Sequence, residues 1–384
     1  MKPSTSRPRP SGLVCAYRKL PRGAGREEQS SILVALFGKL GYMRTLEVSA
    51  ADARSAVVCG LGAWLPPRIV TNDELATRLD TSDEWIRTRT GIQTRHIVSP
   101  GMPTSYLAAE AGARAMESAG VKDVDALVLA TTTPDRPCPA SAPRVAHRLG
   151  LTGRPAFDVS AVCTGFLYAL SVAAGLIVSG AAEHILVIGA ETFSTIIDPH
   201  DRTSGVLFGD GAGAVVLRAG DQQEPGAIGW VELGSDGSLD DIITVRAGGS
   251  EQRSAGAPQS PADSYFSMRG QEVFTHAVRR MAEAATTALA HAGWRPDEVD
   301  RLVGHQANLR ILHALSERMH IPRERLVVHL DRVGNTAAAS IPLALAHAQS
   351  TGELFPGARV ILAAFGGGAT WGATAVTWPA IKAL

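Results

Sequence analysis

Apolar residues fall in short blocks, each bounded by turn formers or charged residues. AVVCGL (56–61), ALVLAT (126–131), AFDVSAV (156–162), HILVIGAE (184–191), DRLVGHQ (300–306) and RVILAAF (359–365) have the length and composition of buried strands. GDGAGAVVL (209–217) reads as a turn running into another strand. Between these blocks the period changes. SYLAAEAGARAMESAG (105–120) and EVFTHAVRRMAEAATTALAHAG (272–293) have helical composition, and Gly120 is a suitable stop for the first. Thr71 with Glu74 and Thr81 with Glu84 fit capping boxes at the starts of two short helices. The stretch 164–179 is apolar nearly all round, which predicts a buried helix with no polar face. Strands alternating with helices predict mostly parallel sheets, and two sheets enclosing two apolar helices is the economical assembly.

The pattern also repeats. Cys163, an apolar helical run, Ser-Gly and an apolar strand-like run follow one another in 161–191. Residues 333–365 restate that plan with Asn335 in place of Cys163, and the two residues stand the same distance before Gly180 and Gly352. Upstream, ESAGVKDVDALV (117–128) is echoed by AHAGWRPDEVDRLV (290–303). A repeat of this length predicts a duplicated α/β unit. We place the halves at 56–225 and 226–384, with the polar, Gly/Ser-rich stretch 233–263 opening the second. Different chemistry at matching helix starts puts the active site where the halves meet.

Composition narrows the function. The 384 residues carry zero formal net charge, which argues against nucleic acid as the main partner. No apolar run has the length of a membrane span, so no membrane partner is expected. Cys15, Cys59, Cys138 and Cys163 form no CxxC and no short Cys/His pairing, so no metal site is expected and a reducing cytoplasm is the default. Residues 1–55 differ from the rest, being rich in Arg, Pro, Gly and Ser. They read as a disordered extension, or as a mis-assigned start upstream of Met43. The apolar run SILVALFG (31–38) has no AxA-like cleavage site after it, which argues against secretion.

Three residues carry candidate chemistry. Cys163 stands at a strand-to-helix turn, where unpaired N–H groups and the helix dipole favour thiolate. A lone Cys there is otherwise a small buried hydrophobe. His305 follows a buried strand, and Asn335 precedes an apolar helix; alone, each reads as structural. Together they form a Cys…His…Asn set at the exits of buried elements, the pattern of a catalytic site. Gly366-Gly367-Gly368 after a strand permits the close backbone approach of an oxyanion hole. GDGAGA (209–214) precedes a strand rather than a helix, so it is a structural turn and no phosphate loop.

TSDEWIRTRTGIQTRH (81–96), DVSAVCTGFLYAL (158–170), FGDGAGA (208–214), GHQANLR (304–310), RVGNTAAAS (332–340) and FGGGATWG (365–372) bring a family into view. From Ala56 to the C-terminus the chain resembles β-ketoacyl-acyl-carrier-protein synthase III of the thiolase-like superfamily. The resemblance implies a five-layer αβαβα fold built from two duplicated halves, and a homodimer. It implies decarboxylative condensation of an acyl-CoA with malonyl-acyl carrier protein, initiating fatty-acid or polyketide synthesis without a cofactor. Cys163 would then be the nucleophile, with His305 and Asn335 at the malonyl thioester carbonyl. The backbone N–H groups of Cys163 and Gly367 would form the oxyanion hole, and Phe365 would lie beside the malonyl carboxylate. Trp85 and Arg89 would hold the CoA adenine with Arg202 opposite, Asn308 would line the pocket, and Arg310 would engage the carrier protein. Cys138 falls where many members carry a large aromatic at the floor of the acyl pocket, contributed across the dimer. A smaller side chain there implies room for longer or branched starters. A non-condensing starter acyltransferase is the alternative on this fold. A cysteine hydrolase is a weaker one, because no CGSCW-type signature is present. A catalytically dead scaffold would not retain all three residues.

Overall fold

The computed structural model describes residues 54–256 and 260–384. The extension, its apolar run, Cys15 and the Met43 start therefore lie outside the described residues, except that Arg54 and Ser55 already belong to the first strand. Strands run in chain order as β1 (Arg54–Trp64), β2 (Arg68–Thr71), β3 (Thr94–Ile97), β4 (Ala126–Ala130), β5 (Ala156–Val159), β6 (His184–Glu191) and β7 (Gly211–Asp221). They continue as β8 (Ala227–Ile228), β9 (Val231–Ser235), β10 (Ile243–Val245), β11 (Phe266–Met268), β12 (Arg301–Gly304), β13 (Arg359–Gly366) and β14 (Thr370–Thr377).

One sheet has the order β5-β4-β6-β7-β1-β8 and a second has β12-β13-β14-β9. The helices Gly165–Val178 and Ser340–Thr351 share one apolar core with both sheets: Phe166, Leu170 and Ile341, Leu345 pack with Val128 and Val187 from one side and Val360 and Leu362 from the other. The Thr104–Ala119 helix covers the outer face of the first sheet, burying Leu107, Ala111, Ala115 and Met116 on one stripe. It lies so close that a side chain at Gly60 or Gly62 would strike its backbone. Gly270–Ala292 and Leu309–Arg318 cover the second sheet through Val273, Met281, Leu289 and Leu312. The result is the expected five layers.

Several expectations are corrected. The sheets are mixed rather than mostly parallel: β4 runs parallel to β5 and β6, and β12 to β13, but β6–β7, β7–β1, β13–β14 and β14–β9 are antiparallel. The Gly367-Gly368 turn returns β14 directly along β13, and no long helix intervenes between β6 and β7. Thr71 does cap its helix by accepting from Glu74 N, but the Glu74 carboxylate pairs with Arg68 instead of completing a box. The second cap is Ser82, not Thr81, accepting from Trp85 N at 3.1 Å. The central Gly165–Val178 helix is not buried all round, since Val172 and Val178 are exposed. The expected strand 156–162 ends at Val159. The first sheet takes β8 from beyond residue 226, so the passage between sheets falls at Gly229-Trp230.

The repeat is real but its register shifts. Each central helix is opened by a 3-10 turn whose first residue has a left-handed φ, Val162 at 47° and Ala337 at 44°. That aligns Cys163 with Ala338. Asn335 stands ahead of its turn, so the two residues are neighbours in the plan and not the same position. β14, the Leu309–Arg318 helix, the Ala142–Arg148 helix and the antiparallel β2–β3 pair were not foreseen.

Candidate active site

Cys163 is the middle residue of the 3-10 turn Val162–Thr164, between β5 and the Gly165–Val178 helix. A β-branched residue accepts the φ of Val162 only when its surroundings impose it. They do so here: Thr370 Oγ1 donates to Ala161 O at 3.1 Å, and a Cβ on Gly366 would meet the Cys163 amide nitrogen at 2.8 Å. Cys163 is buried, and burial pushes its thiol well above the ordinary cysteine range, with the Glu191 carboxylate adding to the rise. This reverses the expectation of a resting thiolate. Desolvation of a charge inside an apolar pocket outweighs the partial charge at a helix end. At rest, burial therefore favours the thiol over the thiolate.

Glu191 closes β6 with no exposed surface. Its carboxylate accepts from Thr132 N at 3.0 Å and Thr133 Oγ1 at 2.7 Å, and burial raises its pKa to about 7.

His305 follows β12 directly, and its backbone N–H donates to Ala363 O at 2.8 Å, fixing it to β13. Its Nδ1 lies 2.6 Å from Ser340 Oγ, at the start of the second central helix. Burial drives its pKa down to about 3, so the imidazole is neutral at ordinary pH. Asn335 pairs with Phe208 in an isolated bridge: Asn335 N–H donates to Leu207 O at 2.8 Å, and Gly209 N–H to Asn335 O at 3.0 Å. Its Oδ1 accepts from Ala337 N–H at 2.9 Å, which leaves the Nδ2 hydrogens as donors. The buried Arg95 ties this region together through Val206 O at 2.9 Å and Val70 O at 3.3 Å. Burial brings its pKa down to about 10.

Cys163, His305, Asn335 and Phe365 line one cavity of about 230 Å³, and Arg89, Asn308 and Arg310 line it too. Beside the thiol, Phe193 stacks on Phe208 with centroids 4.2 Å apart, and Phe266 meets both edge-on. Phe193, Ile243 and Phe266 also form one side of a second cavity of about 650 Å³. That second cavity receives Val162 and Gly367, and Thr132 and Pro137 from the loop after β4. Gly367 therefore faces the second cavity, while Gly366 presses on the Cys163 backbone. Cys138 is exposed and borders neither cavity of its own chain.

Trp85, Arg89 and Arg202 do converge. The Arg89 guanidinium carbon lies 4.7 Å from the Trp85 ring centroid and that of Arg202 lies 5.2 Å away, with Arg202 also paired to Asp80 at 2.9 Å. Asn308 caps its helix by accepting from Arg310 N at 2.9 Å and donates to Arg89 O at 3.2 Å. Arg310 donates to Thr88 O at 3.3 Å. Sequence reasoning missed Ser340, Glu191, Arg95 and the phenylalanine trio. Glu191 was signalled by a lone charge ending an apolar strand; the others gave no signal, because their partners are far away in the chain. Among the described residues no helix is long and apolar enough to cross a membrane.

The chain is similar to known proteins over most of its length. A family model described as 3-oxoacyl-[acyl-carrier-protein (ACP)] synthase III C terminal matches residues 289–378, and one for 3-oxoacyl-[acyl-carrier-protein (ACP)] synthase III matches 157–237. Beta-ketoacyl-[acyl-carrier-protein] synthase III 3 of Streptomyces coelicolor is 59% identical over 330 residues, 85% of this chain and 98% of that protein. The Pseudomonas aeruginosa beta-ketoacyl-[acyl-carrier-protein] synthase III is 50% identical over 328 residues, 85% and 98% of the two chains. A crystal structure of 3-oxoacyl-(acyl carrier protein) synthase III from Pseudomonas aeruginosa superposes with a TM-score of 0.81 at 49% identity, covering 85% of this chain and 99% of the other. The priming beta-ketosynthase of the R1128 polyketide biosynthetic pathway gives 0.79 at 34% identity, over 88% and 99%. Similarity at this level over nearly the whole of each relative, on the same fold, establishes that the chain belongs to the β-ketoacyl-[acyl-carrier-protein] synthase III family.

Proposed function

We propose that this chain condenses an acyl group from acyl-CoA with malonyl-acyl carrier protein to give a 3-oxoacyl-carrier protein. Cys163 sulfur attacks the acyl-CoA thioester, and its proton leaves with the departing thiolate as free CoA. Malonyl-carrier protein then loses CO2, and the electron pair of the broken C–C bond becomes an enolate. The enolate carbon attacks the acyl carbonyl, and Cys163 departs and regains a proton. His305 and Asn335 are the two neutral donors at the thioester oxygen, where the enolate charge develops. Removing one such donor costs about 3–4 kcal/mol in comparable sites.

The single observation that carries this reading is one cavity holding a buried thiol, a histidine with a pKa near 3 and an amide with free hydrogens. A histidine so reluctant to accept a proton is a poor general base, which weighs against a cysteine hydrolase. A non-condensing acyltransferase would need no pair of enolate donors. The chemistry asks for no cofactor, because the thioester carbonyl is itself the electron sink.

Further roles follow the family. Cys163 N–H and Gly367 N–H form the oxyanion hole; Trp85, Arg89 and Arg202 hold the CoA adenine; Asn308 lines the pocket; Phe365 flanks the malonyl carboxylate; Arg310 meets the carrier protein. We infer a homodimer in which each chain is built from two duplicated halves that meet at Gly229-Trp230. Support comes from the half-buried edge strand β5 and the exposed Val172. We place the enzyme in the cytoplasm, where acyl-CoA and carrier protein are found and free cysteines persist. The test is mass spectrometry of Cys163 after exposure to a panel of acyl-CoAs, followed by a chase with malonyl-carrier protein. An adduct that the chase converts to 3-oxoacyl-carrier protein supports the reading. An adduct discharged to free acid without CO2 release would favour the hydrolase.

A further inference from the structure

We infer that Ser340 is a positioning residue that fixes the tautomer of His305, so that Nε2–H, and not a bare nitrogen, meets the thioester oxygen. The inference rests on the condensation proposed above. Ser340 opens the second central helix with 1% of its surface exposed, and its Oγ lies 2.6 Å from His305 Nδ1. A hydroxyl has one hydrogen and two lone pairs. The Gln306 backbone N–H donates to the same Oγ at 3.4 Å, which occupies one lone pair. Among the described residues no other acceptor is recorded for the Ser340 hydrogen, so that hydrogen goes to Nδ1. Nδ1 therefore carries a lone pair, and a neutral imidazole then carries its hydrogen on Nε2.

The support is rigid. Gln306 Nε2 donates to Gly304 O at 2.8 Å and Val327 O at 3.2 Å, and its Oε1 accepts from His329 N at 2.9 Å and Leu330 N at 3.2 Å. That network holds the strand exit carrying His305 against the segment leading to Asn335. The backbone and the Ser340 partner of the imidazole are thus set before substrate arrives. The opposite tautomer would aim a lone pair at the developing enolate and repel it. Ser340 lines neither cavity, so its effect is confined to the step that uses His305 as a donor.

The test measures three quantities in Ser340→Ala: the rate of Cys163 acylation by acetyl-CoA, and kcat and KM for CO2 release from malonyl-carrier protein. His305→Ala runs alongside. The expected result is acylation within about 2-fold of wild type, an unchanged KM, and kcat for CO2 release lowered roughly 10- to 100-fold, the scale of losing the neighbour that orients a functional histidine. Retained acylation shows that the variant is folded. Two results would overturn the inference: CO2 release equal to wild type while His305→Ala is impaired, or equal losses in acylation and CO2 release. If His305→Ala itself released CO2 normally, the proposed function, and not merely the role of Ser340, would fail.

Discussion

Burial acts on three ionisable groups around one sulfur, and in each it favours the neutral form. The Cys163 thiol and the Glu191 carboxyl are pushed up, and the His305 imidazole is pushed down. Glu191 gives a measurable consequence. Its folded pKa of about 7 lies above the ordinary carboxylate value of 4.5. A raised pKa contributes stability that is fully present below the unfolded value and is lost as pH rises through the folded one. Glu191→Gln keeps an acceptor oxygen but cannot ionise. Its melting temperature relative to wild type should therefore become more favourable from pH 5 to pH 8, by a stability difference on the order of 1–3 kcal/mol. Thermal unfolding across that range checks it, and a flat difference would show that Glu191 does not titrate there. Cys163, His305 and Asn335 were legible in the sequence because each stands where a buried element ends. Ser340 and Arg95 were not, because a hydrogen bond to a residue far along the chain leaves no local pattern.

Among elements, the decisive contact is the β13–β14 turn against the 3-10 turn that carries Cys163. Gly366 has no room for a side chain, since an added Cβ would meet Cys163 N at 2.8 Å and Ala161 O at 3.0 Å. Gly366→Ala should push the Cys163 amide out of place and slow acylation roughly 10²-fold, the scale of losing one oxyanion donor. Single-turnover acylation with acetyl-CoA measures this; a rate near wild type would mean that the turn gives way freely. The apolar blocks located these strands correctly but could not give their direction. Alternation of strand and helix suggests parallel pairing, and a tight glycine turn overrides it at β13–β14. β14 itself was missed because TWGATAVT carries no continuous apolar run to mark it. The repeat was visible, but its register depended on which residue adopts a left-handed φ, and apolar patterning is blind to φ.

At the scale of the whole molecule the question is what completes the acyl site. Phe193, Phe208 and Phe266 crowd the chain's own side of Cys163, and the roomier second cavity lies across Phe193, Ile243 and Phe266. Cys138 lies in the loop after β4 whose Thr132, Pro134 and Pro137 line that cavity, and it is exposed within its own chain. In a dimer it would reach the partner's cavity. Cys138→Phe should then lower kcat/KM for butyryl- to octanoyl-CoA far more than for acetyl-CoA, since each buried methylene contributes about 0.8 kcal/mol. Steady-state kinetics over the acyl series tests this. Equal losses at every length would indicate general damage, and no loss at any length would remove Cys138 from the pocket.

The central claim is a division of labour, in which the thiol takes the acyl group and the neutral donors drive decarboxylation. It is tested most directly in Asn335→Ala by following a single turnover: acetyl-CoA first, with the Cys163 adduct quantified by mass, then labelled malonyl-carrier protein, with CO2 counted. The account expects full acylation of Cys163 and CO2 release slowed roughly 10²–10³-fold. Loss of the adduct as complete as in Cys163→Ala, or CO2 release at the wild-type rate, would contradict it.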